Sequence, residues 1–248
     1  LLYVLAGIVL LIIGGAGAYA AYLRYAAQMQ PVIFAPSVSA PIFVDERERI
    51  SGTGTVLTQA IVQSATRPLA AGTVRLLHLD SSITTESVFS SLRTLAPDIL
   101  RRNINAAGSM AGVVSAGGNR NPFFILSVVS YSDTFSGMLS WEPRMPNDLE
   151  ALFPPYPAPP SFFATSTVAT STPKTGAKAP VKATTIPSIS SPPKQTFADE
   201  VIGNHDVRVY RDASGKSVLL YGYWNQMTLV IARDEAAFTE LLQRLATS

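Results

Sequence analysis

The first 23 residues carry no charged side chain, and the run of apolar positions ends only at Arg24. As a helix rising 1.5 Å per residue, this run would span roughly 35 Å, enough to cross a hydrocarbon core of about 30 Å. Three tyrosines at helical spacing lie near its end, where amphipathic rings favour the membrane interface: Tyr19, Tyr22 and Tyr25. The pattern predicts a single transmembrane anchor over residues 1–25, with residues 1–23 (Leu1 to Leu23) in membrane lipid.

A cleaved signal peptide is the alternative interpretation of the same segment. Residues 1–13 would form its apolar core, and Ala18-Tyr19-Ala20 resembles an A-x-A cleavage site. The anchor is favoured because the apolar run continues past that site to Leu23. We expect a single-pass protein of the cell membrane with an extracytoplasmic body.

Residues 26–49 predict an extended stalk. Pro31, Pro36 and Pro41 stand five apart, and proline removes amide donors and restricts the residue before it. The charge run DERER over residues 45–49 is typical of a solvated turn at a domain edge.

Residues 50–153 predict the first half of an α/β body. Their β-branched runs, period-2 alternation and apolar residues at helical spacing give these elements: strands at 56–63, 73–79, 110–115 and 123–130, and helices at 85–104, with a break expected before Pro97, and from Asp133 onward.

The strand at 123–130 is apolar on both faces. Phe123, Ile125 and Val129 fall on one side, and a second set falls on the other: Phe124, Leu126 and Val128. A strand of this kind is typical of the centre of a sheet that is covered twice.

The helix that follows is predicted to begin at Asp133, which would act as its N-cap. Its buried stripe would consist of Phe135, Met138 and Leu139. Pro143 and Pro146 should end or kink it before a last turn over residues 148–153.

Residues 154–196 are of a different composition. They contain ten of the eighteen prolines, many Ser and Thr residues, and four of the five lysines, but no acidic residue. Such a segment buries too little apolar surface to offset its ordering entropy, so we expect a disordered insertion.

Residues 197–248 predict the second half of the body. Strands at 207–210 and 218–223 flank a hairpin turn at 212–215, and a third strand covers 228–232. A helix over 234–245 carries a continuous apolar stripe: Ala237, Phe238, Leu241, Leu242 and Leu245. Because 52 residues make a marginal core alone, we expect both halves to share one mixed sheet.

Composition excludes several function classes. The chain has no cysteine, which removes disulfide scaffolds, thiol nucleophiles and thiolate metal sites. Without the four lysines of the insertion, 15 basic residues stand against 17 acidic ones. The body therefore lacks the basic footprint of a nucleic-acid-binding protein.

No catalytic, cofactor or metal set emerges from the motifs. His78 lies inside a predicted strand, and His205 stands beside Asn204 and Asp206 without a further ligand at useful spacing. The chain has no G-x-S-x-G elbow, and Ser51-Gly52-Thr53-Gly54 lacks the lysine and helix of a phosphate loop. Two acidic pairs, Asp148 with Glu150 and Asp199 with Glu200, could serve glycoside hydrolysis only across a cleft.

Three aromatic residues are candidates for an interaction surface, because large amphipathic rings anchor interfaces when they are not in the core. Tyr223 and Trp224 stand at a strand end that leads into a turn. Trp141 falls on a predicted helix, where membership of the buried stripe is the favoured alternative.

Several phrases together resemble a set of single-span membrane proteins of ultrasmall candidate-phyla bacteria. They are PIFVDE at 41–46, NPFFI at 121–125, FSGMLSWE at 135–142, DVR at 206–208, LYGY at 220–223 and TLVI at 228–231. The GMLxWE phrase is the most distinctive. The resemblance implies an anchor, an α/β body and a variable Pro/Ser/Thr insertion, and it carries no established activity.

We therefore expect a membrane-anchored, non-enzymatic envelope protein whose body binds another protein in a surface appendage or export assembly. Two alternatives come from other classes: an envelope hydrolase acting on cell-wall polymer, and a sensory or ligand-binding ectodomain. Clustered carboxylates in a deep cleft would favour the hydrolase, and a shallow surface with exposed aromatic rings would favour protein binding.

Overall fold

A computed structural model describes residues 18–19, 40–79, 87–157 and 196–247. The chain divides into two compact units, Leu1–Val38 and Ser39–Ser248. Of the first unit only Ala18 and Tyr19 are described, so the rest of the predicted anchor and residues 26–39 of the predicted stalk lie outside the described residues. The stalk assignment is wrong for residues 40–49, which belong to the second unit, with Ile42 buried in its core. Within the described ranges, no helix has both the length and the apolar character needed to cross a bilayer.

The second unit is a mixed α/β body. Its elements in chain order are β1 (Glu46–Ile50), α1 (Thr55–Thr66), β2 (Val74–Leu79), α2 (Val88–Ser91), α3 (Asp98–Arg102), β3 (Ile104–Ala116), β4 (Asn119–Val128), α4 (Tyr131–Trp141), α5 (Met145–Asp148), β5 (Ala198–Ile202), β6 (His205–Arg211), β7 (Ser217–Asn225), β8 (Thr228–Ala232) and α6 (Glu235–Ala246).

The strands form one eight-stranded sheet in the order β1-β2-β3-β4-β8-β7-β6-β5. Strand β1 runs parallel to β2, and every other neighbouring pair is antiparallel. Strands β4 and β8 are hydrogen-bonded neighbours, with Phe124 opposite Ile231. Strands from both sides of residues 158–195 thus belong to the same sheet.

Apolar side chains cover both faces of this sheet. On one, here called the α4 face, Phe124 and Leu126 pack with buried residues of α1 to α5, including Phe89 and Trp141. On the other, the α6 face, Phe123 and Ile125 pack with the buried stripe of α6. The prediction that β4 is covered on both faces is confirmed, and each face buries a separate core cluster.

Residues 45–49 were predicted as a solvated turn, and this is wrong for residues 46–49, because Glu46–Ile50 is an edge strand. Its charges alternate, so both glutamates point to the same face and find partners there. The Glu46 carboxylate accepts from Arg75 Nε at 2.8 Å, and Glu48 accepts from Ser64 Oγ at 2.7 Å. These polar contacts compensate for a strand in which Ile50 is the one apolar residue.

The predicted strand over residues 56–63 is also wrong, since these residues form α1. Its β-branched residues favoured a strand locally. The buried positions are Leu57, Ile61 and Ser64, whose spacing is helical. Packing of that stripe on the sheet overrides the local preference.

The sequence predicts a helix over residues 85–104 with a break before Pro97; the break is confirmed, whereas the helical assignment of Ile104 is wrong. The described residues form two short helices, α2 and α3, and Ile104 already begins β3. The Ser87 side chain caps α2, and Pro97 occupies the N-cap of α3. Proline disfavours helical backbone in the residue before it, so the helix cannot run through this point.

Helix α4 begins earlier than predicted. Ser130 is its N-cap, and the Ser130 side chain accepts from the Asp133 amide, so Asp133 lies in the first turn. Met138 is buried as predicted, whereas Leu139 is 40% exposed, so its place in the buried stripe is wrong. The helix ends at Trp141, before Pro143, as the sequence predicted.

The hairpin formed by β5 and β6 includes a strand that the sequence analysis missed. Its turn consists of Gly203 and Asn204, both with positive φ. Two consecutive positive-φ residues are typical of type I′ turns, which join the two strands of a β-hairpin through a two-residue loop. Strand β5 forms the second edge of the sheet.

The body extends slightly into the predicted insertion. Residues 154–157 are described, and the Tyr156 ring lies 4.5 Å from the Arg233 guanidinium carbon. The predicted disorder of residues 158–195 lies outside the described residues.

Candidate interaction groove

A groove of about 560 Å³ lies on the α4 face, between α4 and the strands β5, β6 and β7. We call it the aromatic groove, after the rings of Tyr131, Phe135 and Tyr223 along one wall. Its other wall and floor carry polar side chains from β5 and β6, chiefly Asp199, Asp206 and Arg208, together with Val201.

The three rings contact one another. Tyr131 and Phe135, four residues apart on α4, stack with centroids 5.8 Å apart and planes 13° apart. Tyr223 meets Tyr131 edge-on at 4.8 Å. Such aromatic pairs add stability beyond the area they bury. The cluster therefore holds its shape while Tyr131 stays 43% exposed.

The strand register places the polar residues in two rows across the sheet. Asp199 lies opposite Arg208, and Arg208 lies opposite Tyr221. In the next row Val201 lies opposite Asp206. Asp206 precedes Val207, whose partner Gly222 is followed by Tyr223. This register sets Asp206 beside Tyr223, next to the aromatic wall.

Arg208 is held at the base of the groove by carboxylates from two elements. Its Nε and Nη2 donate to the two carboxylate oxygens of Glu142, each at 2.7 Å, and its Nη1 donates to Asp199 at 2.8 Å. The Tyr221 hydroxyl donates to Glu142 Oε1 at 2.7 Å. This bidentate geometry makes Glu142 the anchor of a charge-assisted network.

The network raises the pKa values of Arg208 and Tyr221. The hydrogen bonds from Arg208 to Glu142 raise the pKa of the guanidinium despite the opposing effect of burial. Burial raises the pKa of the Tyr221 phenol, and the hydrogen bond to the Glu142 carboxylate raises it further. At neutral pH Arg208 is thus a fixed cation and Tyr221 a neutral donor.

Tyr223 should make the folded state sensitive to alkaline pH. Burial raises the pKa of its phenol to about 12, against about 10 in an unfolded chain. Its contribution to stability is fully present below pH 10 and is lost as the pH rises from about 10 towards 12. We expect the melting temperature to fall over this range, and to fall less steeply in Tyr223→Phe.

Circular dichroism melts at a series of alkaline pH values measure this effect. Tyr221→Phe provides a second variant, because the Tyr221 pKa is raised in the same direction. If the pH dependence of Tyr223→Phe matched that of the native chain, the Tyr223 phenol would not be the titrating group.

The three residues predicted as an interaction surface separate in the structure. Tyr223 lies in the aromatic groove. Trp224 lies on the opposite, α6 face, with its ring 5.0 Å from that of His205. Trp141 is fully buried beside Phe89 and donates from Nε1 to Asp148, so its assignment to a surface is wrong and the core alternative is right.

The acidic pairs considered for hydrolysis do not face each other across the groove. Asp199 and Glu200 are successive residues of β5 and point to opposite faces, where they pair with Arg208 and Arg211. Asp148 accepts from the Trp141 indole, while Glu150 is exposed. Within the described residues, no three His, Asp or Glu side chains lie close enough together to hold a metal ion.

A second cavity of about 540 Å³ lies farther along the α4 face, lined by Phe153, Tyr156, Tyr210 and the 212–214 turn. The carboxylate of Asp212, which lies in this turn, accepts from the backbone amides of Tyr156, Ser214 and Lys216. Because those bonds are structural, this cavity offers fewer free polar groups than the aromatic groove.

Sequence reasoning identified Tyr223 as an interaction residue but considered Asp199 only for hydrolysis and Asp206 only for metal binding, and it did not bring these residues together in one groove. The signal for its outer wall was present in Gly203-Asn204, a hairpin dipeptide flanked by Val201 and Val207. Tyr131 and Phe135 stand four apart on α4, but nothing local indicates that they meet a ring from residue 223.

Comparison of the chain with protein-family models, with curated proteins and with solved structures gave no match.

Proposed function

We propose that the chain is a membrane-anchored, non-enzymatic envelope protein whose α/β body binds another protein through the aromatic groove. One observation carries the proposal: three mutually packed aromatic rings line a groove, with Tyr131 exposed and Phe135 and Tyr223 half-buried. Partly exposed aromatic clusters are typical of the anchor points of protein interfaces.

Further apolar residues at the same end of the sheet support this proposal. Val129 is exposed two residues before Tyr131, and Met227 is exposed beside it, with its carbonyl accepting from the Val128 amide. Val201, on the opposite wall of the groove, is 70% exposed. Several large apolar side chains exposed at one end of a sheet are typical of an interaction site.

The hydrogen bonds of Glu142 favour binding over hydrolysis. Both oxygens of Glu142 accept from Arg208, and one of them also accepts from Tyr221. A general acid or base must be free to exchange a proton with substrate, whereas this carboxylate is committed to holding Arg208. The membrane part of the proposal rests on the uncharged run over residues 1–23.

Site-specific photocrosslinking in native membranes tests the proposal. The photoreactive residue p-benzoylphenylalanine would replace Tyr131 or Val201, on the two walls of the groove, and Gln243, exposed on α6. After a high-salt wash, which should leave the chain in the membrane pellet, we expect the same protein adduct from positions 131 and 201 and none from 243.

Two results would contradict the proposal. Release of the chain by the salt wash would rule out the anchor. Equal adducts from position 243, or no protein adduct from either groove position, would rule out the groove as the binding surface.

A further inference from the structure

We infer that the aromatic groove binds an extended segment of the partner protein that carries an arginine or lysine side chain. This inference rests on the proposed function and adds the chemistry of the partner. It follows from the charge of the groove, from the position of that charge beside the rings, and from the way the same body holds its own cations.

The charged side chains of the groove carry a net negative charge. Arg208 is the one cation among its described lining residues, and Glu142 and Asp199 already bind it. Asp206 is exposed and adds a further carboxylate. A ligand that enters the groove therefore meets an excess of negative charge, which attracts cations and repels acidic segments.

This charge lies next to the aromatic wall. Asp206 stands beside Tyr223 in the strand register, and Tyr223 contacts both Tyr131 and Phe135. A cation placed over these rings could therefore also reach a carboxylate. Cations bind the faces of aromatic rings within about 6 Å of the centroid, and guanidinium groups do so most often.

The body already pairs cations with a tyrosine ring elsewhere on the same face. The Arg233 guanidinium lies 4.5 Å from the centroid of the Tyr156 ring, and Lys216 Nζ lies 5.0 Å from it. In the described part of the chain, no cationic side chain lies over Tyr131, Phe135 or Tyr223. The groove thus offers the same kind of ring surface to a cation from outside.

The size of the groove suits a side chain with its flanking backbone. A volume of about 560 Å³ lies within the range of sites that enclose small ligands. Strands β5 and β6 form one wall of the groove, and β5 is the edge of the sheet. An edge strand can pair with an extended segment laid alongside it, which favours an extended segment over a helix.

Binding of defined peptides to the full-length chain in detergent tests the inference. The probes are short synthetic peptides of alternating proline and arginine, with matched peptides in which glutamate or serine replaces arginine. A neutral chitin oligosaccharide represents cell-wall polymer. We expect the arginine peptide to bind at least about tenfold more tightly than any other probe, a difference of about 1.4 kcal/mol, and to weaken as salt is added.

Matched variants test whether Asp206 and Tyr131 are responsible for binding of the arginine peptide. Asp206→Asn removes the exposed carboxylate beside the rings and should weaken binding of the arginine peptide several-fold, whereas Glu150→Gln removes a charge from the neighbouring cavity and should not. Tyr131→Ala should reduce binding further, and Tyr131→Phe, which keeps the ring, should restore it.

The outcomes separate this inference from the proposed function. Equal binding of the serine or glutamate peptide, tighter binding of the oligosaccharide, or equal effects of Asp206→Asn and Glu150→Gln would overturn the inference. If positions 131 and 201 still crosslinked to a protein, the proposed function would stand without it. If the arginine peptide bound as expected but neither position crosslinked to a protein, the charge preference would be right and the proposed function wrong.

Discussion

Phe238→Ala is expected to lower the free energy of unfolding by about 3–5 kcal/mol, as truncation of a fully buried aromatic side chain usually does. Phe238 is fully buried on α6 and packs in the cluster that contains Phe123 and Ile125 of β4. A Cβ atom added at Gly222 would lie 2.9 Å from its ring, so the space around the ring is already filled. The surrounding side chains can therefore collapse little into the cavity that the substitution leaves.

Tryptophan fluorescence tests whether Phe238→Ala destabilises the whole body or only its second half. Trp141 lies in the first half of the chain and Trp224 in the second. In a Trp224→Phe background, Trp141 fluorescence reports on the first half alone. Because β4 and β8 share one sheet, we expect Phe238→Ala to shift the Trp141 transition and the circular dichroism transition together in urea.

Gln243→Ala is the control, since Gln243 is exposed on the same helix and should change stability by less than about 0.5 kcal/mol. An unchanged Trp141 transition in Phe238→Ala would mean that the two halves unfold independently.

Glu142→Ala is expected to cost about 2–4 kcal/mol of stability. Breaking a buried ion pair from one side costs about 3–5 kcal/mol, and partial exposure of this pair reduces that figure. The Glu142 side chain is 14% exposed and that of Arg208 is 20% exposed. The substitution also removes the acceptor of the Tyr221 hydroxyl, which lies in the core. An unsatisfied buried polar group adds its own desolvation cost.

Asp199→Ala is the matched control, because Asp199 binds the same guanidinium while its side chain is 85% exposed. An exposed ion pair contributes about 0–1 kcal/mol, so this variant should remain close to the native chain in urea denaturation. Equal losses in the two variants would mean that burial of the Glu142 contacts is not the source of the effect. Glu142→Gln, which keeps an acceptor for Tyr221, should fall between them.

Elements with a strong local period were predictable. Strand alternation placed β2, β4, β7 and β8 within a few residues, and the apolar stripe of α6 identified its buried face. The predictions failed where local preference and packing disagree. In α1, β-branched residues occur in a helix because the buried stripe of Leu57 and Ile61 packs on the sheet. In β1, a run of alternating charges forms a strand because Arg75 of β2 lies opposite Glu46 and donates to its carboxylate.

The candidate site was less predictable than the fold. Tyr223 was predictable as a large ring at a strand end, whereas the sequence predicted Phe135 in the buried stripe of a helix and Tyr131 before the start of that helix. Asp199 and Glu142 are 57 residues apart along the chain, yet both bind the guanidinium of Arg208. The ion pairs depend on the order of strands in the sheet, which no local pattern encodes.

The sequence by itself determined the elements whose hydrophobic period matches their structure, the two apolar faces of β4, and the segregation of prolines and lysines into residues 154–196. These properties are local, because side-chain period and composition act over neighbouring residues. Tertiary structure decided the pairing of β4 with β8, the burial of Trp141 and the meeting of Tyr131, Phe135 and Tyr223. Those contacts join residues far apart in the chain, so their energy exists only once the sheet has brought both partners together.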